Sequence, residues 1–276
     1  MLLVCNLGWA DDAVSGPGPA PTPAPIRFLL TFDDGPSSAP HGNPTVRILD
    51  ALAANPVQGG IKAIFFTQVG SMDEVKRLLL QREQGDGHLL AFHTATPGHS
   101  NHRYLDPEQL DLSLQHGGAV LRAISGATLL LVRPPFWSYD ARTQAAYHAH
   151  EMQMLLTDLS ANDGKIHGVN WSWRKRQNML TQLTALRVRW LAGALPAVDG
   201  STPVVVTFHD INTYTARHIN EYLAILQEVA LELQMPTTSA PFYDERDAML
   251  RAALARTVRG GDPRPPLPGW WNWIWN

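Results

Sequence analysis

The sequence predicts an α/β fold: a distorted (β/α) barrel of parallel strands covered by helices. Three observations predict it. Short apolar runs alternate with capped amphipathic stretches from residue 26 onward, the pattern of repeated strand–helix units. The runs are near-continuously apolar rather than alternating, as in strands covered on both faces. Polar residues then gather just after most of these runs, where the C-terminal strand ends of such barrels carry their chemistry.

Each element has a local reason. Residues 26–32 (IRFLLTF) form the first strand. Asn43-Pro44 opens a helix, with proline at the first helical position, where its missing N–H costs nothing. Residues 61–66 (IKAIFF) are the second strand, and Ser71-Met72-Asp73-Glu74 reads as a capping box for a helix ending near Gly85. Residues 88–92 are the third strand, and Asp106-Pro107 starts a helix to about Ile124. Residues 128–132 and 152–156 are the fourth and fifth strands, separated by a helix from about Asp140 to His150. A long helix is expected over 173–193, a sixth strand over 203–208 and a helix from about Ala216 to Leu233.

The two ends differ from this middle. The chain of 276 residues opens MLLVCNLGWA, short and apolar, and continues with a Pro/Gly/Ala-rich stretch. We expect residues 1–25 to be a signal-like segment and extended linker, and the protein to be exported, periplasmic or secreted. Residues 26–243 are then the main domain, and 244–276 a C-terminal helix with a tryptophan-rich tail. Trp270, Trp271, Trp273 and Trp275 in that tail are expected to pack back onto the domain, with stacking on sugar rings as the alternative.

Composition narrows the function. Lys+Arg total 22 and Asp+Glu 25, a net charge of −3, which argues against nucleic acid as partner. No segment is apolar for long enough to cross a membrane. The lone cysteine, Cys5, excludes an internal disulfide and a cysteine-based zinc site, so any metal must be held by His and carboxylate.

The polar residues after the strands supply such a set. Asp33 and Asp34 follow the first strand, His93, His99 and His102 the third, Arg133 the fourth, Asp158 and Asp163 the fifth, and His209-Asp210 the sixth. Adjacent aspartates at a strand end face different directions and so can take different roles. One can join two histidines in an open metal site while the other accepts a proton from water.

In order, TFDDGP (31–36), His93-Thr94 with a further histidine, Arg133-Pro134-Pro135 with an aromatic, and an apolar strand ending His209-Asp210 resemble the polysaccharide deacetylase family, the NodB-homology domain of carbohydrate esterase family four. The resemblance covers about residues 26–235. It implies one divalent metal, zinc by preference, with cobalt, manganese or nickel as alternatives, and removal of acetyl groups from an acetylated polysaccharide such as chitin or peptidoglycan. Asp34 and His93 are then metal ligands, Asp33 the general base, Arg133 its orienting partner and His209 the general acid. The family's second metal histidine falls four residues after the first, where this chain has Pro97. Counting back from residues 105–109 favours His99 as the ligand, with His102 second. Asp158 or Asp163 is the expected support for His209, with Asp158 carried as the choice. Phe136, Trp137 and Thr207 are expected to line the substrate pocket. Where the family has a pocket tryptophan, Trp171 or Trp173 is the candidate here. An O-acetyl esterase, a small-molecule amidase or a non-catalytic glycan-binding domain are the rival readings.

Overall fold

A computed structural model describes residues 22–96, 98–163 and 174–268. The signal-like segment and Cys5, Pro97, Trp171, Trp173 and the tail tryptophans lie outside these residues.

The strands are β1 (Ile26–Asp33), β2 (Ile64–Gln68), β3 (Leu89–Thr94), β4 (Leu130–Val132), β5 (Met152–Met154), β6 (Leu159–Ser160), β7 (Thr202–His209) and β8 (Thr237–Phe242). Seven are ordered β5-β4-β3-β2-β1-β7-β6, with β8 added against β1. Every pairing is parallel. The sheet curls into a half-barrel. Residues 155–158 connect its two end strands: Leu155 N–H donates to Val132 O on β4, and Asp158 N–H to Val205 O on β7.

The helices are α1 (Pro44–Ala53), α2 (Glu74–Gly85), α3 (Pro107–Ser125), α4 (Ala141–Ala149), α5 (Lys175–Leu191), α6 (Thr213–Glu232) and α7 (Arg246–Ala255). Their starts follow from capping chemistry. Asn43 accepts from Val46 N–H ahead of α1, and Asp106 with Gln109 closes a capping box at α3. Asp140 with Thr143 does the same at α4. For α2 the cap is Asp73, accepting from Lys76 N–H, two residues later than Ser71. Asn212 caps α6, which therefore begins a turn before Ala216.

Strand alternation sorts the side chains. Outward residues such as Phe28, Leu30, Phe32, Phe65 and Phe208 pack under α1, α5 and α6, and Phe92, Leu130 and Val132 under the helices across the sheet. Gly117 lets α3 close on β3: a Cβ there would sit 2.1 Å from the Phe92 ring. Inward residues form layers. Leu29, Ile64, Phe66, Ala91, Leu131 and Val205 pack on Met249, Ala252 and Ala253 of α7. Each large side chain buried this way contributes roughly 1.5–3 kcal/mol over its exposed state. Above that apolar layer, toward the C-terminal strand ends, the interior turns polar, and the site is built there.

Candidate active site

Thr31, Asp33, His93, Arg133, Thr207 and His209 stand at alternate positions from the inward-facing apolar residues, so period-two geometry points them into one interior. Arg133 is fully buried at its centre. Its Nη1 donates to Asp33 Oδ1 (2.8 Å), Thr31 Oγ1 (2.7 Å) and Thr207 Oγ1 (3.0 Å). Its Nε and Nη2 donate to the Leu155 and Leu156 carbonyls, and its guanidinium lies 4.1 Å from the centre of the Phe66 ring. A buried guanidinium is tolerated only with its donors satisfied and its charge paired. Here Asp33 pairs the charge, and the guanidinium in turn fixes that carboxylate.

Asp34 turns the other way, at φ 77°. Its Oδ1 lies 3.3 Å from His93 Nε2 and 3.4 Å from His99 Nε2, and the two Nε2 atoms are 3.0 Å apart. Two structural details bring His93 in. The register of β2 on β3 steps from Thr67↔Phe92 to Gln68↔Thr94, which makes His93 the extra residue of a bulge. His93 Nδ1 also donates to Arg133 O at 2.7 Å, which leaves the Nε2 of a neutral ring as a bare acceptor.

His99 arrives on the loop after β3, at φ 57°. Thr96 shapes that loop: its N–H donates to Thr94 Oγ1, its hydroxyl meets Thr94 Oγ1 at 2.9 Å, and it accepts from Ser100 N–H. Phe136, also at positive φ, stacks on His99 with ring centres 4.9 Å apart.

The donor set fits a divalent cation. One carboxylate oxygen and two imidazole nitrogens converge, and tetrahedral bonds of about 2.0–2.1 Å place ligand atoms about 3.3 Å apart. Burial and the neighbouring His93 push His99 down to about 4, outweighing the Asp34 and Asp33 charges, so its ring is neutral at pH 7. Burial alone would raise the Asp34 carboxyl, but the protonated His209 beside it and the surrounding imidazoles hold it well below the usual carboxylate range. Among the described residues this is the one His/Asp/Glu cluster with metal-holding geometry.

His209 ends β7 beside it, with Nε2 3.9 Å from Asp34 Oδ2. Its Nδ1 donates to Asp163 Oδ1 at 2.8 Å, and its N–H to Asp163 Oδ2 at 2.9 Å. Thr215 Oγ1 donates to the same carboxylate. Burial lowers the His209 pKa, but the Asp163 charge and hydrogen bond outweigh it and carry it up to about 10. The free Nε2–H is therefore a proton donor that faces the Asp34 carboxylate.

Three expectations need correction. Asp158 does not support His209. It lies level with Val205, whose N–H it accepts, and pairs with Arg256 and Arg189. The partner of His209 is Asp163. Thr207 does not line a pocket, because it is fully buried and its hydroxyl holds Arg133. Trp137 is 7% exposed and packs in the core with Tyr139 and Leu110, so it offers no face to a ligand. His102, the second choice for metal, is buried between Tyr147 Oη (2.9 Å) and Thr94 Oγ1 (3.3 Å), away from the cluster.

Sequence reasoning named Asp210 without giving it a role and missed Gln68. Asp210 lies behind Gly35, where a Cβ would come within 2.1 Å of its carboxylate, and it accepts from Thr45 Oγ1. Gln68 donates to Asp34 Oδ1 at 3.0 Å. The second had a signal, since Gln68 is also a polar residue at the end of an apolar strand.

Comparisons with known proteins agree with the fold. Residues 21–155 match the profile of the family described as polysaccharide deacetylase. Through that stretch, just under half of its length, the chain is similar to the polysaccharide deacetylase family. A chitin deacetylase of Pestalotiopsis sp is 29% identical over 119 residues, 42% of this chain and 36% of that protein. The match thus spans about a third of that relative's length. The chitin deacetylase of the fungal pathogen Colletotrichum lindemuthianum shares the fold with TM-score 0.55 and 19% identity, over 80% of this chain and 92% of that one. A family 4 carbohydrate esterase from Streptomyces lividans, solved with acetate, shares it with TM-score 0.53 and 19% identity, over 78% and 92%.

Proposed function

We propose that this protein is a divalent-metal-dependent hydrolase that removes N-acetyl groups from an N-acetylglucosamine polysaccharide of the chitin or peptidoglycan kind, and that it acts after export. The observation that carries this reading is the juxtaposition of three parts within one barrel mouth. They are the acceptor trio Asp34–His93–His99, the Arg133-held Asp33, and the Asp163-held His209. The family match and the chitin deacetylase relative support the substrate class.

A cation held by Asp34, His93 and His99 supplies Lewis acidity toward the acetyl carbonyl and toward water, and two nitrogens with one oxygen suit zinc. The remaining work falls to the chain. Asp33, with one oxygen held by Arg133, takes the proton as water adds to the carbonyl carbon. In the turn that carries Phe136, the N–H groups of Trp137 and Ser138 are engaged by the Pro134 and Pro135 carbonyls. Phe136 N–H is therefore that turn's donor toward the developing oxyanion. His209 gives its Nε2 proton to the nitrogen as the C–N bond breaks, leaving acetate and a free amine. Phe136, 43% exposed above His99, presents an apolar face to the sugar. Trp137 and Thr207 are interior and give the small-molecule amidase reading no support.

The test is acetate release from N-acetylglucosamine oligomers against small acetamides and O-acetylated xylan. It is run on the zinc-loaded protein, then after chelation, then after zinc is restored. The reading expects oligomer turnover that is lost on chelation and recovered with zinc. Turnover that survives complete chelation, or that is confined to small acetamides, overturns it.

A further inference from the structure

Resting on the metal-centre reading above, we infer that Gln68 is a positioning residue that sets this protein's affinity for its metal by locking the Asp34 carboxylate. Three observations converge. The Gln68 amide donates to Asp34 Oδ1 at 3.0 Å, the same oxygen that lies 3.3 and 3.4 Å from His93 and His99 Nε2. A carboxylate only accepts, so the amide must turn its NH2 toward it. The backbone N–H of Gln68 donates to Gly35 O at 2.9 Å, so one residue grips the Asp34–Gly35 turn through both main chain and side chain. The bulge that extrudes His93 from β3 falls at the Thr67/Gln68 step and fixes Gln68 relative to His93.

The grip has a purpose in the local geometry. Asp34 is a non-glycine residue at φ 77°, a conformation held only where its surroundings over-determine it. Its side chain has no partner on its own strand, and free rotation about Cβ–Cγ would swing Oδ1 away from the histidines. With one lone-pair direction of Oδ1 taken by Gln68, the other stays aimed into the His93–His99 gap. Outer partners of this kind change metal affinity by about 10–100-fold when removed.

The experiment titrates Zn2+ into the metal-free full chain in competition with a chromophoric chelator. The variants are Gln68→Met, which keeps the length and loses the donor, and Gln68→Asn, which keeps the donor and loses the reach, with Asp34→Ala as reference. The Co2+ absorption spectrum and the metal-free melting temperature are recorded in parallel. Both Gln68 variants are expected to bind Zn2+ about 10–100-fold more weakly with an altered Co2+ spectrum, while the metal-free melting temperature stays near wild type. Zn2+ affinity within threefold of wild type in both variants, with Asp34→Ala unable to bind, overturns the role of Gln68 alone. Wild-type affinity in Asp34→Ala as well overturns the metal centre itself.

Discussion

Arg133 organises the site more than any other residue, although its side chain bonds none of Asp34, His93 and His99. It spans Asp33, Thr31, Thr207 and two carbonyls of the 155–158 connection, while its own carbonyl orients His93. One residue thus sets the directions of both Asp33, the proposed base, and His93, a proposed metal ligand. Asp33, Asp34, His93, Arg133 and His209 were legible in the sequence because each sits at or just past the end of an apolar strand. The partner of His209 was less legible. Asp158 and Asp163 lie five residues apart, and only the pairing of Leu159 with Val206 shows which reaches the end of β7. Asp163→Asn tests that pairing. The variant loses the charge that raises the His209 pKa, so the pKa falls. The acid must be protonated to act, so the alkaline limb of the rate profile should shift to lower pH, with kcat reduced about 10²–10⁴-fold. A pH–rate profile matching wild type would show that Asp163 does not serve His209.

At the scale of elements, the repeating strand–helix units were legible from apolar runs and caps, and the short irregular pieces were not. β8 contains Thr237, Thr238, Ser239 and Pro241, with no apolar run to mark it; it becomes a strand through its place beside β1. β6 is two residues long and carries no periodicity. The His99 loop belongs to this class too. A six-residue step from His93 to His99 fits no regular element, and the loop returns to His93 and Asp34 because Thr94, Thr96 and His102 bond beneath it. Thr96→Val keeps the shape and removes the hydroxyl, leaving Ser100 N–H without that acceptor. It should cost about 1 kcal/mol in urea unfolding and weaken Zn2+ binding severalfold, with Thr96→Ser close to wild type. Unchanged Zn2+ affinity in Thr96→Val would mean that the loop holds His99 without this contact.

Across the whole molecule, the half-barrel separates its work by depth. α7 and the apolar layer close one end, Arg133 and its threonines fill the middle, and the ligating and titrating groups stand at the other end. The near-neutral net charge of −3 suits a partner gripped by a metal and aromatic faces rather than by counterion release. In the proposed mechanism Asp33 and Asp34, neighbours in sequence, divide base and metal-ligand duties. The most direct test measures bound zinc and acetate release on the same samples of wild type, Asp33→Asn and Asp34→Ala. Asp33→Asn is expected to keep its zinc and lose activity by about 10²–10⁴-fold, while Asp34→Ala loses both. An active Asp33→Asn, or an Asp34→Ala that retains zinc, would contradict it.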